Sequence, residues 1–261
     1  MASSSYILNS CNNKNIKYLY HISDIHIHCD KRHIEYSKIF SKFLNILDKN
    51  NIQPSTSPLE NSAVVITGNL LHTKSRITSN EVILAREFIF NISQRCPIII
   101  IPGNNDKYEN IKAIISSGNI NLSNINYITE KGCYKLNNIN FIYYTDNSIS
   151  DLNIPDNQYN IGLYHGIVDR VELYNGKNAS SKTMLLSTFN KFNCSLIGGV
   201  NKTQFIDPNQ KIGYSGSMIQ NDYNEDCGDH GYLFWDLEKT KATHHSIDNE
   251  YRFVKIKIIK L

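Results

Sequence analysis

No apolar run in this sequence approaches the ~20 residues that a membrane-spanning helix needs, so a helical membrane anchor is not expected. Residues 1–20 also lack the apolar core of a signal peptide. The cysteines are scattered: Cys11, Cys29, Cys96, Cys133, Cys194 and Cys227 show no C-x-x-C spacing. Without an export signal this pattern fits free thiols in a reducing compartment, so an intracellular location is expected. Charge excess is small. A net charge of +3 and a pI of about 8.4 are too mild to mark a dedicated nucleic-acid binder, which carries a denser basic patch. There is no internal repeat, and no linker is long or polar enough to separate distinct domains.

What is present suits one α/β domain. The chain has 261 residues with 41% hydrophobic content, enough for one substantial core. Residues 1–15 are polar and are expected to form a flexible N-terminal extension, with a single domain over 16–261. "IKYLYHIS" reads as a strand that delivers Asp24 to its carboxyl end. Ile34, Ile39, Phe40, Phe43, Leu44 and Leu47 fall at helical spacing, which predicts an amphipathic helix over 33–49. "NIQPSTSPLENS" is rich in breakers and reads as a loop. "AVVIT" is a second buried strand, ending at Gly68. Thr78 and Glu81 form a capping-box pattern ahead of Val82, Ala85, Phe88, Ile89 and Ile92, a second helix. "PIIII" is a third strand. Strand, helix, strand, helix, strand implies parallel pairing with right-handed crossovers. The second half is strand-rich, through "NFIYYT", "NIGLYH", "CSLIGG", "KIGYSG", "GYLFWDL" and "RFVKIKII", with one helical candidate near 180–191.

The polar turns carry the chemistry. Ligands of α/β sheets gather beyond the carboxyl ends of strands. Asp24, Gly68, Asn104, His165 and Gly199 each lie just past such an end. The turns read "SDIHIH", "TGNLLH", "PGNNDK", "LYHGIV" and "IGGVNK". In that order they resemble the calcineurin-like metallophosphoesterases, most closely the SbcD-type nuclease branch. That family's pattern is D-x-H, G-D-x-x-H, G-N-H-D, a lone His, then G-H-x-H. "YSGSMIQ" is similar to the branch's Y-P-G-S turn, with Ser215 in place of proline, and "HGYLFWDL" resembles its late strand. The resemblance covers most of the chain. It implies a four-layer α/β/β/α sandwich with two mixed central sheets.

The resemblance also implies what the site has lost. In the family two divalent metals activate a hydroxide that attacks phosphorus. Asp24, His26, Asn104 and His165 match metal-ligand positions. Asn69 stands where the bridging aspartate belongs, and Asn105 where the catalytic histidine belongs. Gly199 and Asn201 replace the two histidines of G-H-x-H; viral members of the branch carry G-D-x-H, so Gly199 could also replace an aspartate. Asp24 is then the only carboxylate at a ligand position. Asn69 is neutral, and its amide nitrogen is a donor that a cation repels. Two divalent cations about 3.5–4 Å apart repel strongly without a bridging anion. Each would keep only two protein ligands, against the three or four usual for zinc. Asn105 supplies no proton near neutral pH, whereas histidine does.

Blander readings stand beside these. His72 matches the histidine of G-D-x-x-H, to orient a neighbour or touch a phosphate, and a structural hydrogen bond explains it as well. Asp106 would steady the catalytic histidine in the family; here a turn-capping carboxylate is the simpler role. Ser217, in the Y-S-G-S turn, is a further candidate for phosphate contact. His28, Cys29 and Asp30 lie near enough to be replacement ligands, but loop exposure explains them too. Lys255, Lys257 and Lys260 alternate with Val254, Ile256, Ile258 and Ile259, the pattern of a half-exposed strand.

The expectation is a degenerate family member that lacks two-metal hydrolysis and acts as a binding or scaffolding protein. Its partner would be nucleic acid, another phosphate-bearing molecule or a protein. The rivals are an active phosphodiesterase with one metal or a rearranged site, and a structural virion protein with a closed cleft. No cofactor is expected beyond a weakly held manganese or zinc ion. The resemblance admits a homodimer. The abundance of Asn, Ile and Lys suggests an AT-rich genome, such as that of a large DNA virus, and so a host-cytoplasmic or virion location.

Overall fold

Strand β2 (Tyr18–Ile22) pairs in parallel with β3 (Ser62–Thr67), and β3 pairs in parallel with β4 (Ile98–Ile101). This register places the turns after all three strands at one sheet edge. The computed structural model describes residues 6–10, 13–29, 31–49, 60–116, 122–145, 152–174, 183–256 and 258.

The expected helices fill the crossovers. Helix α1 (His33–Lys49) joins β2 to β3, and α2 (Ser79–Ser93) joins β3 to β4. The Thr78–Glu81 capping box is formed in full: the Thr78 hydroxyl accepts from the Glu81 backbone N–H, and the Glu81 carboxylate accepts from the Thr78 N–H. A third helix, α3 (Tyr108–Ser116), leads to β5 (Ile125–Tyr127), which extends the parallel set.

These strands are buried on both faces, so they read as unbroken apolar runs rather than alternating ones. The four isoleucines of β4 divide by period two. Ile98 and Ile100 face α1 and α2, beside Phe43, Phe88 and Ile92. Ile99 and Ile101 face the second sheet, beside Leu136, Phe141, Leu163 and Leu196. Truncating one such isoleucine to alanine costs about 2–5 kcal/mol.

The second sheet adds β1 (Tyr6–Ile7), β6 (Gly132–Leu136), β7 (Ile139–Tyr143), β8 (Tyr159–His165), β9 (Cys194–Gly198), β10 (Gln204–Phe205) and β11 (Ile212–Tyr214). Its order is β1-β6-β7-β8-β9-β11-β10. The first sheet closes with β12 (Gly231–Asp236) and β13 (Lys241–Ser246), in the order β13-β12-β2-β3-β4-β5. Both sheets mix parallel and antiparallel pairs, and they pack face to face, as the mixed α/β sandwich requires. The cover is uneven. The described α-helices lie on the six-stranded sheet, while loops and a 3-10 turn at Leu186–Lys191 cover the other, with Phe189 and Met184 buried there.

Three local expectations are corrected. The helix near 180–191 is only that 3-10 turn within the described residues. Its N-cap, Leu185, has no side-chain acceptor to offer the first N–H groups. "RFVKIKII" makes no strand among its described residues. Val254 and Ile256 are 71% and 87% exposed, and the preceding stretch is pinned instead by side chains: Asn249 donates to Glu35, and Phe253 N–H to Gln220 Oε1. Lys257 and Lys260 lie outside the described residues. Finally, the 1–15 segment is paired in places rather than loose throughout. Tyr6–Ile7 runs parallel to β6, Tyr6 stacks on Tyr134, and Asn9 N–H donates to Asn126 Oδ1.

Candidate functional site

Asp24, His26 and Asn69 all adopt left-handed backbone, with φ of 49°, 50° and 53°. Asn and Asp tolerate this region; histidine is strained there. The turns persist because the backbone locks them together: Asp24 N–H donates to Gly68 O at 3.0 Å, and His26 N–H to Asn69 O at 2.9 Å. Glycine is needed at two of the joints. A Cβ on Gly68 would stand 2.5 Å from His165 Nδ1, and one on Gly103 would stand 2.5 Å from Asn69 Oδ1. These distances also show how tightly the turns after β3, β4 and β8 abut.

Asp24 is buried and fully engaged. Its Oδ2 accepts from Ser23 Oγ at 2.7 Å and from Gly199 N–H at 2.8 Å. Its Oδ1 accepts from Asn69 Nδ2 at 2.8 Å and lies 3.7 Å from His26 Nε2. Burial pushes this carboxyl up, but His26, His165 and Ser23 together outweigh it and hold it at about 2.

The Asn69 amide has only one workable orientation. Its Oδ1 accepts from the Asn105 backbone N–H at 3.0 Å while its Nδ2 faces the Asp24 carboxylate. A flip would set oxygen against oxygen and N–H against N–H. Asn105 Nδ2 reaches His26 Nδ1 at 3.4 Å, closing a chain of contacts from Asp24 through Asn69 and Asn105 to His26. His165 donates from Nδ1 to Thr67 O at 2.6 Å, which leaves Nε2 buried and without a partner. A Cβ on Gly199 would lie 3.3 Å from that Nε2.

The other candidates sit around this centre. Asn104 is exposed. Asp106 is buried and accepts the N–H groups of Leu70, Leu71 and Gly103, so it caps the turn after β4 and ties it to that after β3. His72 stacks on His28 at 3.6 Å and meets His26 edge-on at 5.5 Å. Burial, then the neighbouring His72 and Arg32, push His28 down to about 4; burial, then His26, push His72 in the same direction. Asn201 turns to Glu225, donating to Oε1 at 2.6 Å. Ser217 is fully buried and bonds His230 Nδ1 at 3.0 Å rather than facing the cleft. Cys29 is partly exposed, and Asp30 lies outside the described residues.

Several participants were not singled out in the sequence. Ser23 and Thr67 were visible only as residues inside the matching turns. His230 was visible only as the first residue of "HGYLFWDL"; Asn221, which donates to the Asp24 carbonyl at 3.3 Å, and the buried Glu225 gave no sequence signal.

The family model for calcineurin-like phosphoesterases matches residues 18–197, from the start of β2 through β9. The chain belongs to the calcineurin-like phosphoesterase family. A relative from Acanthamoeba polyphaga mimivirus, the uncharacterized protein R555, is 28% identical over 264 residues, covering 94% of this chain and 19% of that protein. The chain thus spans about a fifth of that relative's length. Among solved structures, GAP50, described as the anchor in the inner membrane complex of Plasmodium, superposes with a TM-score of 0.51 at 12% identity. The match covers 90% of each chain and shows a shared fold.

Members of this family usually bind divalent metals, so the donors here are to be judged against that pair. They do not suit it. Asn69 presents an N–H to Asp24 rather than an anionic oxygen, and both Asp24 oxygens are already bonded. Among the described residues, no three or more His, Cys, Asp or Glu side chains are arranged to hold a metal ion.

Proposed function

We propose that this chain is a non-hydrolytic member of its family that works by binding, as an adaptor or scaffold. One observation carries the reading: Asn69 donates a hydrogen bond to Asp24 where a two-metal site needs a shared carboxylate. The Asn105 amide, at the position of the family's catalytic histidine, is turned onto His26. It offers no general acid to a leaving oxygen. A fold of this kind is compatible with an anchoring role, since the Plasmodium protein is described as an anchor.

The centre of the site offers a phosphate no cation: the Asp24 carboxylate and His165 Nε2 are buried there, and both are acceptors. A phosphate-bearing partner would be held at the rim. There Lys31, Lys74, Arg76 and Lys107 are exposed on the loops after β2, β3 and β4. Reversing Lys74 and Lys107 to glutamate should weaken binding to a nucleic-acid strand and flatten its salt dependence, by a slope of about 2 for two lost contacts.

The hydrolytic half is tested by turnover of a nitrophenyl phosphodiester and of DNA ends with manganese or zinc. No activity above background is expected. Robust turnover that disappears in Asp24→Ala would overturn the reading. It would favour the second one, a one-metal enzyme. That alternative has its own support: His165 donates from Nδ1 to a backbone carbonyl and leaves Nε2 bare, the tautomer a metal-ligating histidine adopts.

A further inference from the structure

Asparagine at position 69 does more than omit a charge. Its two amide atoms join three separate turns: Nδ2 donates to Asp24 in the turn after β2, and Oδ1 accepts from Asn105 in the turn after β4. Asp24 carries the connection onward to the other sheet, through Gly199 N–H after β9, a contact 175 residues away in the chain. His165 makes a second crossing, from the end of β8 to Thr67 O at the end of β3.

Aspartate has the shape of asparagine but no donor. Placed here without a cation, its carboxylate would face the buried Asp24 carboxylate at hydrogen-bond distance, and two like charges in that setting repel strongly. With a cation bound, both carboxylates would instead serve as its ligands. Aspartate at 69 would therefore need a cation, or a proton taken up between the two carboxylates, and asparagine removes the requirement.

We infer that Asn69, with Asp24, Asn105 and Gly199, forms a metal-independent clasp that locks the turns after β2, β3 and β4 to one another and, through Asp24, to the turn after β9, the amide doing by hydrogen bonding what a bound cation would do by charge. On this account the exchange of aspartate for asparagine is a structural replacement that keeps the cleft folded without metal, rather than neutral decay. The inference rests on the non-hydrolytic reading, but it concerns folding and can fail separately.

The test is thermal unfolding of the wild type, Asn69→Asp and Asn69→Ala, each in EDTA and in manganese. The wild-type Tm should be the same in both. Asn69→Asp in EDTA should unfold at least about 5 °C lower and regain most of that loss in manganese, while Asn69→Ala should be lowered in both. A wild-type Tm that falls in EDTA by as much would overturn the clasp, and so would an Asn69→Asp protein as stable in EDTA as the wild type. Should Asn69→Asp fail to fold, the wild-type comparison and Asn69→Ala still decide. Phosphodiester turnover by a wild type whose Tm ignores EDTA would remove the non-hydrolytic reading and leave the clasp standing.

Discussion

Asp24 Oδ2 and the Gly199 backbone N–H meet at 2.8 Å across the space between the two sheets. A carboxylate at the end of one sheet is satisfied by the turn of the other. Ser23 Oγ and Asn69 Nδ2 donate to the same carboxylate. In an intact two-metal centre such a carboxylate would spend its charge on a cation; here the protein's own N–H and O–H groups take that charge.

Removing that carboxylate should therefore cost stability without any metal in the buffer. Asp24→Ala would leave the Gly199 N–H and the Asn69 amide without their acceptor. We expect a loss of about 2–3 kcal/mol. Urea unfolding in EDTA measures it, and a variant within experimental error of the wild type would show that the carboxylate is dispensable to the fold.

Placing a histidine at position 199 should be costly for a reason independent of metals. Gly199 has a φ of 99°, and a Cβ there would stand 3.0 Å from Gly166 N. Left-handed backbone costs an ordinary residue about 1–2 kcal/mol. Gly199→Ala and Gly199→His should both lower the Tm, by similar amounts, because the penalty belongs to the backbone and the first side-chain carbon. An alanine variant as stable as the wild type would show that the turn relaxes freely.

Stability should fall as pH drops below neutrality. His21 is sealed between the sheets, with Nε2 bonded to Thr67 Oγ1 at 2.8 Å. Burial pushes it down to about 3, and the Asp24 charge recovers only a fraction of that. His28 is pushed down to about 4. Unfolded, both titrate near pH ~6.5. Between these values the unfolded chain binds protons that the native protein refuses. The contribution is thus fully present above about pH 6.5 and is lost progressively below it. At pH 4.5 the loss from His21 alone is about 3 kcal/mol. Asp24, held at about 2, adds a loss of the same sign only below about pH 4. Urea midpoints from pH 7.5 to 4.5 should decline, and His21→Asn should flatten the decline. A pH-independent midpoint would contradict the burial of a neutral His21.

The core of the fold was legible because β2, β3, β4, β8 and β9 are apolar runs that end in Gly, Asn, Asp or His. β6 and β13 were missed. "GCYKL" opens on a glycine and is interrupted by Lys135, "KATHHS" is largely polar, and their pairing with β7 and β12 comes from tertiary context. "RFVKIKII" has strand composition, but no strand among the described residues pairs with it. At the site, the matching turns named Asp24, His26, Asn69, Asn104 and His165 as converging; the structure links Asp24, His26 and Asn69 through Asn105 and sets His165 beside them, while Asn104 is exposed. They could not give the orientation of the Asn69 amide, which depends on the Asn105 N–H 36 residues away. Nor could they show that Asn201 and Ser217 turn toward Glu225 and His230, because Glu225 lies on a loop with no motif of its own and the approach of His230 comes from tertiary packing.

The most direct test of Asn69 as the decisive loss is a calorimetric titration of manganese into the wild type, Asn69→Asp and Asn105→His. The wild type should show no saturable two-ion binding. Asn69→Asp should bind manganese measurably more tightly, because it returns a negative charge that both ions would share. Asn105→His should match the wild type, since a proton donor adds nothing where no nucleophile is activated. Two manganese ions bound tightly by the wild type, or an Asn69→Asp variant that binds no better than its parent, would contradict the account.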